Sequence, residues 1–421
     1  MRILMVAPRV PRPRAPGGPA IVMYAQLKGL LRRNQITLIC RGRADDVNRA
    51  ALADWRREGV DCRAVWWPEP RGLALWRRRA SLAALWARTD WPWLTVLNWS
   101  RGMQRAIDEA LATTQFDVVS VEDKAELGAY RFQTDAPLAL TEHEVRHPRP
   151  PAWAGAALRG PRALAAEVDW WRWRGFQRRV WGKFHRIHAF TDHDARGILG
   201  LAPEVAGRVL VNPFGVEVPP PPNPIAEVPE SLVFVGSFGH QPNVDAALWL
   251  GREIMPRLRA RRPGVKLTLV GSMPPASVRA LAGPDIEVTG EVPEVEPYLE
   301  RAAVVLAPVR EGGGQRVKVL QGLAMGRAVV TTSLGAEGID LSTADGPFLV
   351  VADGADEIAA SAARLLDDPI QRRELAARAR DYVSRHHTPE AFAARMESSY
   401  RALAEDLGLG PNTTIVGEAR L

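Results

Sequence analysis

Short apolar runs recur along the chain at the length of buried strands, separated by longer amphipathic stretches. In the first half they cover residues 3–7 (ILMVA), 36–40 (ITLIC), 62–67, 118–122 and 138–143. Continuous apolar runs of this length suit parallel strands covered on both faces. Helical periodicity fills 19–33 and 101–114, and 190–211 reads as a strand end, a helix and another strand. The second half repeats the scheme, with strands predicted at 231–236, 267–271, 286–290, 303–308, 328–332 and 348–352. Helices are predicted at 243–262, 316–325 and along 370–407. Two successive strand–helix series predict two doubly wound α/β domains with right-handed crossovers. Between them, residues 218–230 (VPPPPNPIAEVPE) are proline-dense, as expected of a linker.

At 421 residues the chain is too long for one comfortable core, which agrees with two domains. Cys40 and Cys62 offer neither metal-ligand spacing nor a disulfide framework, which fits a reducing cytoplasm. The first residues, MRILMVAPRV, read as a buried strand rather than a signal peptide, and no apolar run reaches membrane-spanning length.

Charge is uneven. Residues 1–215 hold 34 Lys and Arg against 21 Asp and Glu, a balance of +13; the remainder holds 21 against 27, a balance of −6. Thirteen of the 14 tryptophans precede residue 182. A basic, Trp-rich half suits an anionic membrane surface, a lipid-phosphate acceptor or nucleic acid, although no nucleic-acid module is recognisable.

Residues 306–339 carry the most specific chemistry. They read as strand, glycine loop, helix and second strand. Gly312, Gly313 and Gly314 allow close backbone approach to a ligand, and the following helix aims its N–H groups at the loop. Arg316 and Lys318 put positive charge at the positive end of that helix, an odd choice unless an anion binds there. The pattern points to a nucleotide-diphosphate cradle, with an ordinary βαβ crossover as the plainer reading.

Several segments together resemble glycosyltransferase family 4 of the GT-B fold. They are 233–250 (VFVGSFGHQPNVDAALWL), 267–275 (LTLVGSMPP), 288–339 and the terminal helices near 371–404. The first half matches more loosely, through the loop with Gly17 and Gly18, the TEHEV segment at 141–145 and VNPFGVEV at 211–218. The resemblance implies two Rossmann-like domains facing each other across a cleft, with a C-terminal helix returning to the N-domain. The boundaries it implies are an acceptor domain at 1–215, a nucleotide-sugar domain at 216–385, a crossing helix at 386–408 and a disordered tail at 409–421.

It also implies transfer of a sugar from a nucleotide-sugar donor, with UDP or GDP as the nucleotide, to a hydroxyl acceptor. Retention of configuration is implied, with no cofactor, and no catalytic metal is predicted. The diphosphate is expected near Gly313, Gly314 and Gln315, neutralised by Arg316 and Lys318. Gly236 and Ser237 are expected opposite, and Gly290, Glu291 and Val292 at the base. The loop at Gly17–Gly18 is expected to close over the phosphates.

The family usually has a glutamate at the position of Gln321, where it takes the ribose hydroxyls, so the exchange predicts weaker or altered donor binding. Gly313 stands where many members have a sugar-contacting glutamate; Glu311 is either its substitute or a solvated loop carboxylate. His143, flanked by Glu142 and Glu144 and followed by Arg146, ends a strand where open α/β sheets place ligands. It is the catalytic candidate of the first half, against a plain strand-end role. Asp192 and His193 are a weaker pair, with helix capping by Asp192 or Asp194 the expected role.

Residues 71–101 and 169–186 interleave Trp with Arg. They suit a membrane interface at the inner face, an apolar acceptor pocket, or amphipathic helices with Trp inside and Arg solvated. A lipid-linked glycan or polysaccharide precursor leads among acceptors, ahead of a natural-product small molecule. The competing functions are a catalytically degenerate partner protein, favoured by Gln321, and a sugar-nucleotide epimerase on the same fold.

Overall fold

The computed structural model describes residues 1–14, 18–68, 71–143, 145, 161–221 and 227–408. Gly17, Glu144, Arg146 and the tail after Gly408 therefore lie outside the described residues.

The first sheet contains β1 (Arg2–Ala7), β2 (Gln35–Gly42), β3 (Asp61–Trp66), β4 (Val118–Asp123), β5 (Leu138–Glu142), β6 (Arg186–Ala189) and β7 (Val209–Val211). Its order is β3-β2-β1-β4-β5-β6-β7, and every pairing is parallel. The second sheet contains β8 (Ser231–Val235), β9 (Lys266–Val270), β10 (Ile286–Gly290), β11 (Val304–Ala307) and β12 (Ala328–Thr331). After a small hairpin, β13 (Ser342–Thr343) and β14 (Gly346–Pro347), it ends on β15 (Val350–Val351). The order is β10-β9-β8-β11-β12-β15, again parallel. Ile3, Leu4, Met5 and Val6 are buried alike, as are Val304 to Ala307. Helices on both faces of each sheet exclude water, which is why these strands read as continuous apolar runs.

In each sheet the strand order reverses, between β1 and β4 and between β8 and β11. Open α/β sheets hold ligands at the carboxyl ends of the strands at such points.

The predicted 243–262 helix divides into Gln241–Trp249, a π turn at Leu250–Ile254, and Met255–Arg261. The region 370–407 is two helices, Pro369–His386 and Pro389–Asp406, each started by a proline at its first position. The strand predicted at 348–352 contracts to Val350–Val351, with Phe348 just before it buried in the core.

The last helix lies on the first domain. Tyr400 Oη is 2.7 Å from Ser120 Oγ on β4, His188 Nε2 is 2.8 Å from Ser399 Oγ, and Asn34 donates to Glu397 at 2.7 Å. Helix Pro389–Asp406 packs against helix Gly18–Leu31 so closely that a methyl on Gly29 would overlap Pro389 and Ala393. The two chain crossings between domains are hydrogen-bonded side by side. Val216 N–H donates to the His387 carbonyl at 2.8 Å, and His387 Nδ1 lies 3.1 Å from the Phe214 carbonyl.

Candidate functional site

The carboxyl ends of β8 and β11 meet the start of helix Val317–Ala324. Gly312 (φ +96°) and Gly314 (φ +76°) adopt the left-handed region, where a side chain would be strained. This turns the chain sharply from β11 into the helix. The Arg316 guanidinium lies back on the loop, donating to the carbonyls of Gly314 at 2.7 Å, Gly312 at 2.9 Å and Gly313. In this conformation Arg316 braces the loop from within, whereas the sequence assigns it directly to a bound diphosphate.

Lys318 reaches across to the other predicted segment. Its ammonium donates to Asn243 Oδ1 and stands 4.6 Å from the Phe234 ring centroid. Asn243 Nδ2 in turn donates to the Ser237 carbonyl at 2.7 Å. A methyl on Gly236 would come within 2.9 to 3.1 Å of the Asn243 amide, so glycine is what lets this contact form. Gly236, Ser237 and Lys318 are thus brought together through Asn243. Burial pushes the Lys318 pKa down to about 7, with Arg316 nearby acting in the same direction. The half-buried ammonium is therefore less well solvated than a surface lysine.

Gln315 departs from its expected place. Its side chain turns into the domain interface, accepting from Phe214 N–H at 2.9 Å and donating to the Gly338 carbonyl at 2.8 Å. Only its backbone remains on the cradle. Gly290 (φ +73°) ends β10 and its carbonyl accepts from Gly271 N–H at 3.2 Å; Glu291 is exposed and Val292 half-buried. Glu311 is half-buried beside Arg310, whose guanidinium grips Asp245 at 2.7 and 3.0 Å. Gly18 opens the first helix against the cradle, where a methyl on it would meet Val317 at 3.1 Å.

Asp194, read from sequence as a helix cap, has a larger role. Thr191 caps helix Asp192–Leu201 by accepting from Asp194 N–H at 3.0 Å. The fully buried Asp194 carboxylate instead gathers three donors: Thr191 Oγ at 2.5 Å, Val145 N–H at 3.2 Å and, from the other domain, Gly314 N–H at 3.1 Å. Val145 lies two residues past His143, so one carboxylate ties the His143 loop to the glycine loop. Nothing in the motif T-D-H-D distinguishes such an aspartate from a cap.

His143 is buried, with its ring 4.8 Å from that of Phe190. Its neighbour Glu142 is fully buried and receives Trp181 Nε1–H at 2.9 Å and Ala125 N–H at 3.3 Å. Burial raises the Glu142 pKa to about 8. His193 pairs with Glu337 at 3.4 Å, beside the cradle. Among the described residues no cluster of His, Cys, Asp or Glu is arranged to hold a metal ion.

On the outer face of the first domain, helix Leu73–Arg88 has no buried residue. Trp76 is 68% exposed, as is Leu73, and Trp171 on helix Pro161–Trp181 is 60% exposed. The two helices are joined by Arg172 over the Trp86 ring at 4.2 Å and by Trp86 Nε1–H on Asp169 at 2.9 Å. Trp173 and Trp181 are core residues, so only part of the Trp set packs inward.

Two Rossmann-like domains with a glycine-loop cradle between them, and a final helix returning to the first, define the GT-B fold. Comparisons with known proteins agree. Residues 229–368 match the family model described as Glycosyl transferases group 1. A phosphatidyl-myo-inositol mannosyltransferase of Mycolicibacterium smegmatis is 29% identical over 161 residues, which is 37% of this chain and 41% of that relative. Anabaena Alr3699/HepE, solved with UDP and glucose, superposes with a TM-score of 0.63 at 12% identity, covering 95% of this chain and 99% of that one. Sucrose-phosphate synthase of Thermosynechococcus elongatus gives 0.65 at 15% identity, covering 96% of this chain and all of that one.

Proposed function

We propose that the protein is a glycosyltransferase that binds a nucleotide-diphosphate sugar in the second domain and transfers the sugar to a hydroxyl acceptor held against the first. The observation that carries this reading is the convergence of the Gly312–Gly314 loop, the start of helix Val317–Ala324 and Lys318 at the carboxyl ends of β8 and β11. The group 1 match covers that site, and the neighbour solved with UDP shares the fold. Burial leaves Lys318 short of solvation, so a bound diphosphate gains from it more than from a surface lysine.

The reaction class is retaining transfer without a metal. The donor phosphate takes the acceptor proton as the glycosidic bond breaks, and the protein supplies position and positive charge for the leaving diphosphate. Arg316 holds the loop in shape, and the His143 segment is tied to that loop from the other domain through Val145 and Asp194. The test is a thermal-shift series with UDP, GDP, ADP and dTDP and their sugar conjugates. Binding to the folded state raises the melting temperature by mass action. No shift with any of them would turn the reading toward a degenerate partner protein.

For the acceptor we propose a lipid-linked molecule presented at an anionic membrane surface. The segment 71–88 carries five arginines and no acid, and Trp76 stands clear of the fold. Exposed Trp with Arg suits headgroup depth, each Arg contributing on the order of 1 kcal/mol near an anionic surface. No described helix is long and apolar enough to cross a membrane. Replacing Arg78 and Arg79 together by Glu is expected to reduce co-sedimentation with phosphatidylglycerol vesicles by about tenfold and to leave nucleotide binding unchanged. Unchanged sedimentation would turn the choice to a small soluble acceptor.

A further inference from the structure

A cavity of about 260 Å³ lies between the first helix and the second domain, one side formed by Tyr24 and Ile21, the other by Leu299, Met325, Gln321 and Glu296. Gln321 is four residues past Val317, about 6 Å further along the helix axis from the cradle. A nucleoside sugar follows its diphosphate at about that reach, so the cavity is placed for the ribose of a nucleotide whose phosphates occupy the cradle.

Glu296 opens helix Glu296–Arg301 on the cavity wall. Its Oε2 is shielded from solvent and has no hydrogen-bond donor among the described residues. A shielded carboxylate oxygen without a donor is costly unless a ligand supplies one. The cis hydroxyls of a ribose are two such donors. Gln321, on the same side of the cavity, is uncharged and forms weaker bonds with them than a carboxylate does. Arg14, which also lines the cavity, pairs with Glu294 across the domains at 2.5 Å.

We infer that Glu296 is the carboxylate that binds the ribose hydroxyls of the donor, and that it makes the site selective for ribonucleotides over 2′-deoxyribonucleotides. The inference rests on the nucleotide-donor reading above. It adds a carboxylate from a different helix to compensate for the missing charge at Gln321.

Titration calorimetry with UDP, GDP and ADP, their 2′-deoxy counterparts and dTDP tests it. The wild type is expected to bind the ribose form of its nucleotide at least about tenfold more tightly than the 2′-deoxy form. Glu296→Gln should weaken the ribose form about tenfold and the 2′-deoxy form, which keeps only the 3′-hydroxyl, by clearly less. Adding Gln321→Glu to that variant should restore the preference. Equal loss for both forms, or no loss, overturns the role of Glu296 while the donor reading stands. A wild type without any preference for ribose overturns it with no variant needed. A wild type that binds no nucleotide removes the donor reading itself, and this inference with it.

Discussion

Replacing Lys318 by methionine is expected to weaken nucleoside diphosphate binding by about 10- to 100-fold, the loss of one half-buried charge-assisted contact. Methionine keeps the length of the stem, so the Phe234 face stays covered. The pH dependence distinguishes loss of charge from loss of shape. In the free protein, burial and the neighbouring Arg316 hold the Lys318 pKa near 7. A diphosphate favours the charged form and raises that value, so above about pH 7 binding must take up a proton. Affinity should therefore fall as pH rises from 7.5 to 9, approaching tenfold per unit, and Lys318→Met should flatten the profile. Folding gives the opposite sign. The unfolded chain keeps this lysine charged up to its ordinary range near 10.5. Without ligand, the unfolded state binds more protons between about pH 7 and 10.5, so this group makes stability rise with pH there. Calorimetry at three pH values decides the first point. A wild-type affinity indifferent to pH, with the variant equally tight, would show that Lys318 does not meet the anion.

Asp194→Ala is expected to give the largest loss of stability, about 3–5 kcal/mol by denaturant titration. The substitution removes the acceptor for Gly314 N–H, Val145 N–H and the Thr191 hydroxyl, all inside the domain interface. Buried donors left without partners cost more than the bonds themselves were worth. Asp194→Asn keeps one oxygen, which serves Gly314 or Val145 but not both, so it should lie between wild type and alanine. The local signature is amide exchange. The Gly314 and Val145 N–H groups, in different domains, should lose protection together in Asp194→Ala while β4 and β11 keep theirs. An alanine variant within 1 kcal/mol of wild type, with both amides still protected, would show that the glycine loop is held by other contacts, Arg316 foremost.

The contrast between Lys318 and Asp194 shows how far the sequence could be read. Lys318 was legible because a cation in the first turn after a glycine loop is out of place unless an anion balances it. Gly236 and the Gly312–Gly314 loop stood out because strand ends at a sheet's switch point have few alternatives. Asp194 was not, since its donors come from residues 191, 145 and 314, and no local pattern records two of them. Gln315 misled for the same reason. Its place in the loop suggests a phosphate contact, while its side chain answers to Phe214 and Gly338. The Trp–Arg stretches remained ambiguous because periodicity does not say which side of a helix another helix covers. Packing buries Trp173 and Trp181 and leaves Trp76 in solvent.

By itself the sequence determined the two parallel sheets, the alternation of strands and helices and the glycine turn after β11. Each follows from short-range periodicity and from backbone turns that few residues tolerate. Tertiary structure alone decided how the domains hold each other: Asp194 on Gly314, Gln315 on Phe214, His387 beside Val216, and the last helix on Gly29. It also decided that Glu296 and Gln321 share a cavity. These pairings join residues tens to hundreds of positions apart. Their energy comes from burial and complementary donors at the interface, which exist only once both domains have folded and met.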